Sequence, residues 1–360
     1  MQGHPEAMEY DLLVIGAGMA GLSAAGKAAE HGAKVLVVEK GEEVGGSAQH
    51  ALFLWTVADP RVLRGWDDGE PNLAKVVLEE FPEACQWMRE RNMFLSGPTP
   101  VLHGRGYLLN VAAHLQDCIK RVRAAGGHII TRSTVEKLIV DPDGRVCGAI
   151  VTDSGESVEA RAPWTLLATG GYQADPKLRA ERIHPNAERI ALRSNPFSSG
   201  DGIRLGVQAG GVWAGENQGF YGHLVSSPAR LSHPSLFARL SQYHSDYSLL
   251  FNEEGKRFTD ESQGDFRNSN ELVFQSNARG LLIWDDYVHR EHVMKAFVYS
   301  VEPEDRLEVA LEHGGLGIKS DSLEELENAF DRWGFNGKEV IRNWKEYNEK
   351  VVETPELLNP

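Results

Sequence analysis

The sequence predicts an α/β protein built on a doubly wound, largely parallel sheet, with a smaller α+β domain after it. Three observations lead there. An apolar run at Asp11–Ile15 passes directly into Gly16, Gly18 and Gly21, then into a helix of small residues, then into a second apolar run, Val35–Val38, that ends in Glu39. A further apolar run, Trp164–Ala168, stops at Thr169, Gly170 and Gly171. Past Gly215 the chain turns rich in Asn, His, Tyr and Ser. Strand, glycine turn and helix in alternation mark parallel α/β sheets, and 360 residues suffice for two domains. The expected boundaries are 1–215 and 216–360.

Tyr10–Lys40 reads as β-α-β, and Phe53–Gly69 as irregular. Asn72–Arg91 has helical periodicity that Pro82 interrupts. Over Tyr107–Ala125, Leu108, Val111, Ala112, Leu115, Ile119 and Val122 share a face, which predicts an amphipathic helix ending at Gly126 and Gly127. His128–Thr131 and Val135–Asp141 read as strands. Turns at Pro142–Gly144 and Ser154–Glu156 then fold Val146–Asp153 and Ser157–Ala162 into hairpins before the sheet resumes at Trp164. Gly200, Asp201 and Gly202 open a helix through Gln208. In the second domain Leu249–Asn252 and Leu281–Asp285 read as strands, and Val288–Phe297, Ser322–Arg332 and Lys338–Val351 as helices.

Each part of the first motif has a mechanical role. Gly16 permits the tight turn, Gly18 lets backbone approach a diphosphate, and Gly21 lets the helix lie against the sheet. The helix N-terminus supplies partial positive charge to that diphosphate. Glu39 is placed to take ribose hydroxyls, and its charge disfavours a 2′-phosphate, so NADP is disfavoured while FAD and NAD remain. Gly45, Gly46 and Ser47 follow soon after and permit a second close backbone approach, a turn that NAD sites rarely need and that favours FAD.

The chain resembles the fumarate reductase/succinate dehydrogenase-type FAD-binding flavoproteins, in their soluble branch. Five blocks carry the resemblance in order: Gly16–Gly21, Val37–Ser47, Leu166–Tyr172, Ser199–Gly211 and Phe251–Glu261. The run Asp260–Asn268 is most similar to tricarballylate dehydrogenase-like members. The resemblance implies a Rossmann-like FAD/NAD(P)-binding domain with an inserted α+β cap, and non-covalent FAD held by Gly16, Ala17, Gly18, Met19, Ala20, Gly21, Glu39, Lys40, Gly45, Gly46, Ser47, Val135, Ala168, Thr169, Gly170 and Asp201. It also implies hydride transfer at a CH–CH bond beside a carboxylate or carbonyl, with an electron donor or acceptor as second partner. A ketosteroid dehydrogenase-like enzyme, with Tyr221, Tyr243 or Tyr247 near the flavin, is the alternative, as is a flavin-binding fragment without catalysis.

Two residues are the catalytic candidates. Arg267 follows the Phe251–Glu261 block near the place of the family's active-site arginine, although five residues rather than three separate it from Glu261. Because arginine hardly ever deprotonates, a carboxylate clamp suits it better than proton transfer; the bland reading pairs it with Asp265. His223 stands one position off the family's substrate-binding histidine, and a structural role is its alternative. Glu261 orients Arg267 or pairs with Arg257. Asp201 contacts the ribityl chain or caps its helix.

Composition narrows the partners. A net charge of −15 argues against nucleic acid and anionic membranes. Three scattered cysteines build no disulfide framework and suggest a reducing, cytoplasmic setting. No metal-ligand spacing occurs, no apolar run is long enough to span a bilayer, and the first residues do not read as a signal peptide. The chain is expected to lack the family's C-terminal return to the nucleotide domain. His50 does not match the family's covalent-flavin histidine.

Overall fold

The computed structural model describes residues 8–56, 71–101, 104–215, 219–228, 231, 236–295 and 302–353. They fall into two compact units. The first holds 8–56, 71–100, 104–178 and 194–215; the second holds Val101, 179–193 and the described residues from 219 on. Expectations for 57–69, 216–218 and 296–297 lie outside the described residues.

The first unit is organised by a parallel sheet. Its strands are β1 (Leu12–Ile15), β2 (Val35–Val38), β5 (His128–Ile130) and β9 (Trp164–Leu167), in the order β9-β1-β2-β5. Because strand side chains alternate, β1 and β2 bury both faces. Val14, Val35 and Val37 face α1 (Met19–Glu30) and α3 (Val111–Ala124), where Leu22, Ala25, Leu115, Cys118 and Val122 close the core. Leu13, Ile15, Leu36 and Val38 face the other way, onto Val135, Ala149, Val151 and Leu205. Those come chiefly from an antiparallel meander of β6 (Ser133–Val140), β7 (Val146–Asp153) and β8 (Glu156–Arg161), beside which Met8–Glu9 pairs parallel to β8. The small residues of α1 let α3 come close: a methyl on Gly26 would lie 3.0 Å from the Cys118 Cβ.

Four sequence expectations need correction. Residues Tyr107 and Leu108 are not helical. They belong to strand β4 (Gly104–Leu108), which pairs antiparallel with β3 (Phe53–Thr56), so Phe53–Thr56 is regular too. The helix α3 starts later because the Asn110 side chain accepts the N–H of Ala113 at 3.0 Å, an N-cap that outweighs the apolar periodicity before it. Pro82 does not interrupt its helix: α2 runs unbroken over Pro71–Glu90, with Pro82 on an exposed face where a carbonyl left without its donor can turn to water. The expected helix from Val288 is a short α-turn, Asp286–Val288, continued by a π-turn, His289–Val293.

In the first unit the last helix is α4 (Asp201–Gln208). The second unit packs a two-stranded ladder, β10 (Leu249–Phe251) against β11 (Leu281–Ile283), onto α7 (Leu323–Arg332) and α8 (Gly337–Glu353), with Phe251, Phe330, Phe335 and Ile341 in its core. Helices α5 (Asp265–Leu272) and α6 (Arg306–Glu312) complete it.

Candidate functional site

All four strands of the parallel sheet run the same way, so the turns after β1, β2 and β9 lie on one edge, the edge where open α/β sheets take ligands. The three glycines of the first turn differ in cause. A methyl on Gly16, at φ +105°, would meet the Ala168 carbonyl oxygen at 2.3 Å, and one on Gly21 would meet the Gly16 carbonyl oxygen at 1.9 Å. The fold itself forbids side chains there. At Gly18 the nearest heavy atom to such a methyl is the Gly45 oxygen, 3.9 Å away, and φ is an ordinary −78°. Among the described residues nothing requires glycine at 18, which leaves that stretch of backbone open to close approach.

That backbone is also electrostatically prepared. Gly18 is the N-cap of α1 and offers no side-chain cap, and the helix carries no acid in its first turn of Met19, Ala20 and Gly21. The N–H groups and the positive end of the dipole are left for an anion. The second turn is stitched to the first, since the Gly45 N–H donates to the Ala17 carbonyl at 2.8 Å. Gly45 and Gly46 both take positive φ, +115° and +51°, which glycine supplies without strain. Ser47 meets Ser194 at 2.6 Å. Glu39, 6% exposed, anchors both turns through its carboxylate. It lines a cleft of about 320 Å³ with Glu43, Gly46, His50, Asn195 and Phe197. Asn195 and Phe197 escaped sequence reading, because only the fold returns that segment to the end of β2.

The third turn joins the same edge. The Ala168 N–H donates to Ile15 at 2.8 Å, Thr169 Oγ1 accepts the Gly202 N–H at 3.0 Å, and Gly170 stands at φ +74° against Ser198. Asp201 does not cap α4 with its side chain. It pairs with Lys40, whose Nζ also donates to Ser199 at 2.7 Å. Val135 places its side chain in the core, 7% exposed, and stands opposite Val151 in the ladder of β6 with β7. The donor set fits FAD: exposed amides and a helix terminus for the diphosphate, and a carboxylate for the ribose.

In the second unit the structure brings His223 and Asp265 together. The Asp265 carboxylate accepts from His223 Nδ1–H, with the two side chains 3% and 2% exposed. Asp265 sits in the first turn of α5, where its negative charge is favoured by the helix dipole. Tyr243 packs edge-on to the imidazole at 4.8 Å between ring centres and Tyr221 at 5.1 Å; Tyr221 also stacks on Phe266. Tyr221 is 73% exposed, and the Asp265 carboxylate and the Arg193 guanidinium act on its phenol in opposite directions. Arg267 stands on α5, 47% exposed, paired with Glu271 at 2.9 Å and not with Asp265. Glu261, 1% exposed, pairs with Arg257 and accepts the Leu250 N–H at 2.7 Å, the structural one of its two expected roles.

Comparisons with known proteins agree with this geometry. The family model described as FAD binding domain matches residues 11–350. A vinyl phenol reductase of Lactiplantibacillus plantarum is 27% identical over a stretch covering 70% of this chain and 57% of its own. A fumarate reductase (cytochrome) of Shewanella frigidimarina is 26% identical over 95% of this chain and 60% of its own. This chain thus spans somewhat under two thirds of either relative. The solved 3-ketosteroid-Δ4-(5α)-dehydrogenase of Rhodococcus jostii RHA1 superposes with a TM-score of 0.68 at 18% identity, covering 98% of this chain and 79% of that one, which shows a common fold. With the match running from the first strand of the glycine site into the last helix, this chain belongs to the FAD binding domain family, among flavoproteins of the fumarate reductase type.

Proposed function

We propose that the chain is an FAD-dependent oxidoreductase acting on a CH–CH bond next to a carboxylate or carbonyl. The observation that carries this reading is the open cradle at Gly18, over an uncapped helix and beside the buried carboxylate of Glu39. Bound FAD would supply a hydride acceptor or donor. The residues of this chain do the rest. His223, with Asp265 holding the proton on Nδ1, presents its second nitrogen to substrate in a fixed tautomer. Arg267 would clamp a carboxylate only after leaving Glu271. His223 and Arg267 are proposed here as substrate-contacting residues on these grounds.

The test is spectroscopic. Purified protein should carry a yellow, non-covalent flavin, which, once reduced without oxygen, is reoxidised by an acceptor. Fumarate, an unsaturated ketosteroid and a vinyl phenol, named after the relatives' and the solved neighbour's own substrates, separate the options. Reoxidation by the steroid alone favours the ketosteroid-type alternative, with Tyr221 beside His223 as the ketone's hydrogen-bond donor. Flavin binding without reoxidation by any of them supports the non-catalytic reading. A colourless protein that binds NAD defeats the proposal.

The electron partner is proposed to be a separate redox protein or nicotinamide. Among the described residues no helix is long and apolar enough to cross a membrane. A cytoplasmic setting is proposed on the strength of free thiols at Cys85, Cys118 and Cys147.

A further inference from the structure

Arg193 differs from most arginines of the second unit. Arg179 donates to the carbonyls of Ile190 and Glu188; Arg239 pairs with Glu304, Arg257 with Glu261, Arg267 with Glu271 and Arg279 with Glu253. Arg193 has no hydrogen bond or ion pair among the described residues, and its Nη1 is closed off from solvent while donating to nothing. A guanidinium is always charged, and leaving one of its N–H groups dry and unbonded is costly. Native structures keep such a group where a ligand or an ion completes it.

The position is built rather than accidental. Arg193 ends the segment 179–193, which the second unit holds firmly: Asn186 donates to the carbonyls of Val273 and Gln275 at 3.0 and 2.7 Å, and Arg189 donates to Asn277 at 2.8 Å. Arg193 lies near enough to Tyr221 for its charge to act on that phenol, and the Asp265 carboxylate that also acts on Tyr221 is committed to His223. The guanidinium therefore has no acid paired with it among the described residues, in a chain of net charge −15.

We infer that Arg193 is a further residue that binds a substrate carboxylate, alongside Arg267, with Tyr221 and His223 contacting the same molecule. This rests on the reading of the chain as an oxidoreductase beside a carboxylate or carbonyl, and it narrows that reading to carboxylates. Planar bidentate geometry makes arginine suited to a carboxylate in a way that lysine is not. Arg193 is specificity-determining here, because it fixes the acid group and carries no proton.

The experiment is calorimetry on the FAD-loaded 360-residue protein, with succinate and citrate as probes and dimethyl succinate as the neutral comparison. Wild type should bind at least one acid and ignore the diester. Arg193→Gln should weaken that binding about 10- to 100-fold, the cost of one charged hydrogen-bonding group, with Arg193→Lys in between. Each variant is first checked for an unchanged flavin spectrum and melting temperature without probe. Should Arg193→Gln unfold, the graded loss in Arg193→Lys and the acid-over-diester preference of wild type carry the test. Binding within twofold of wild type in both variants overturns the inference, as does equal binding of acid and diester, or loss in Arg267→Gln with Arg193→Gln unaffected. Failure of wild type to bind either acid overturns it as well. Absence of flavin absorbance defeats the oxidoreductase reading instead, and the calorimetry, which needs no flavin signal, still decides Arg193.

Discussion

Glu39 reaches across the sheet edge to Ala17: one carboxylate oxygen accepts the Ala17 N–H at 2.8 Å while the other accepts the Gly41 N–H at 2.7 Å. A residue expected only to hold a ribose therefore also ties two turns together. Replacing it with Gln leaves one oxygen and sets an NH₂ against a backbone N–H. We expect Glu39→Gln to lower apoprotein stability by about 1–3 kcal/mol, the cost of an unmet buried donor, and to weaken FAD by about tenfold or more. Urea unfolding of apoprotein and a flavin titration measure the two. An unchanged unfolding midpoint would show that the bonds to Ala17 and Gly41 contribute nothing.

Gly18 and Gly21 should part company. Alanine at 21 drives its methyl to 1.9 Å from the Gly16 oxygen, so helix or sheet must shift. Overpacking of that kind costs about 1–3 kcal/mol or more, with or without cofactor. Alanine at 18 meets nothing closer than 3.9 Å. Apoprotein carrying Gly18→Ala should melt like wild type while its FAD affinity collapses, and Gly21→Ala should melt early in both states. Identical behaviour of the two variants would remove the distinction between a glycine needed by the fold and one needed by the ligand.

Acid should weaken this protein through His244. It is 3% exposed, packs edge-on to Trp284 at 4.7 Å, and neither ring nitrogen has a hydrogen-bond partner among the described residues. Burial first, then the positive charges of Arg306, His289 and His292, push its pKa down to about 3. Unfolded, it would titrate near 6.5. Between those values the unfolded chain binds a proton that the folded chain refuses, so stability falls as pH drops below about 6.5, by about 1.4 kcal/mol per pH unit. His244→Leu removes that proton and gives up no hydrogen bond. Its stability should match or exceed wild type at pH 7, and its decline from pH 6.5 to 4.5 should be shallower by about one proton. Parallel declines of the two proteins would exclude His244 as the source.

The glycine site was legible because it is local. Gly16, Gly18, Gly21 and Glu39 sit in one β-α-β unit, where spacing along the chain fixes spacing in the fold. The start of α3 was not legible, since Leu108 fits the helical face and only the Asn110 cap and the pairing of β4 with β3 decide otherwise. The His223–Asp265 pair joins residues 42 apart, and neither neighbourhood announces the other. Arg193 lay in plain view beside Ser199–Gly211, yet its significance is a missing partner, and unpaired donors are visible only once the surrounding chain is folded.

Two arginine–glutamate pairs four residues apart give the last prediction. Arg257 and Glu261 form a pair in which the glutamate side chain is 2% exposed and also holds the Leu250 N–H in the middle of β10. Arg267 and Glu271 lie on the outside of α5, the arginine side chain 47% exposed. Removing Glu261 leaves the Leu250 N–H unmet and Arg257, its side chain 28% exposed, without its partner, at a cost of about 1–3 kcal/mol, whereas an exposed pair on a helix contributes about 0.2–1 kcal/mol. Glu261→Ala should therefore lower the urea midpoint strongly and Arg267→Ala barely. The contrast separates the two roles open to Arg267. If Arg267→Ala leaves stability alone but reduces turnover of a carboxylate substrate, its guanidinium is recruited from Glu271 during catalysis. If stability falls as far as in Glu261→Ala, Arg267 is part of the scaffold, and the clamp assignment fails.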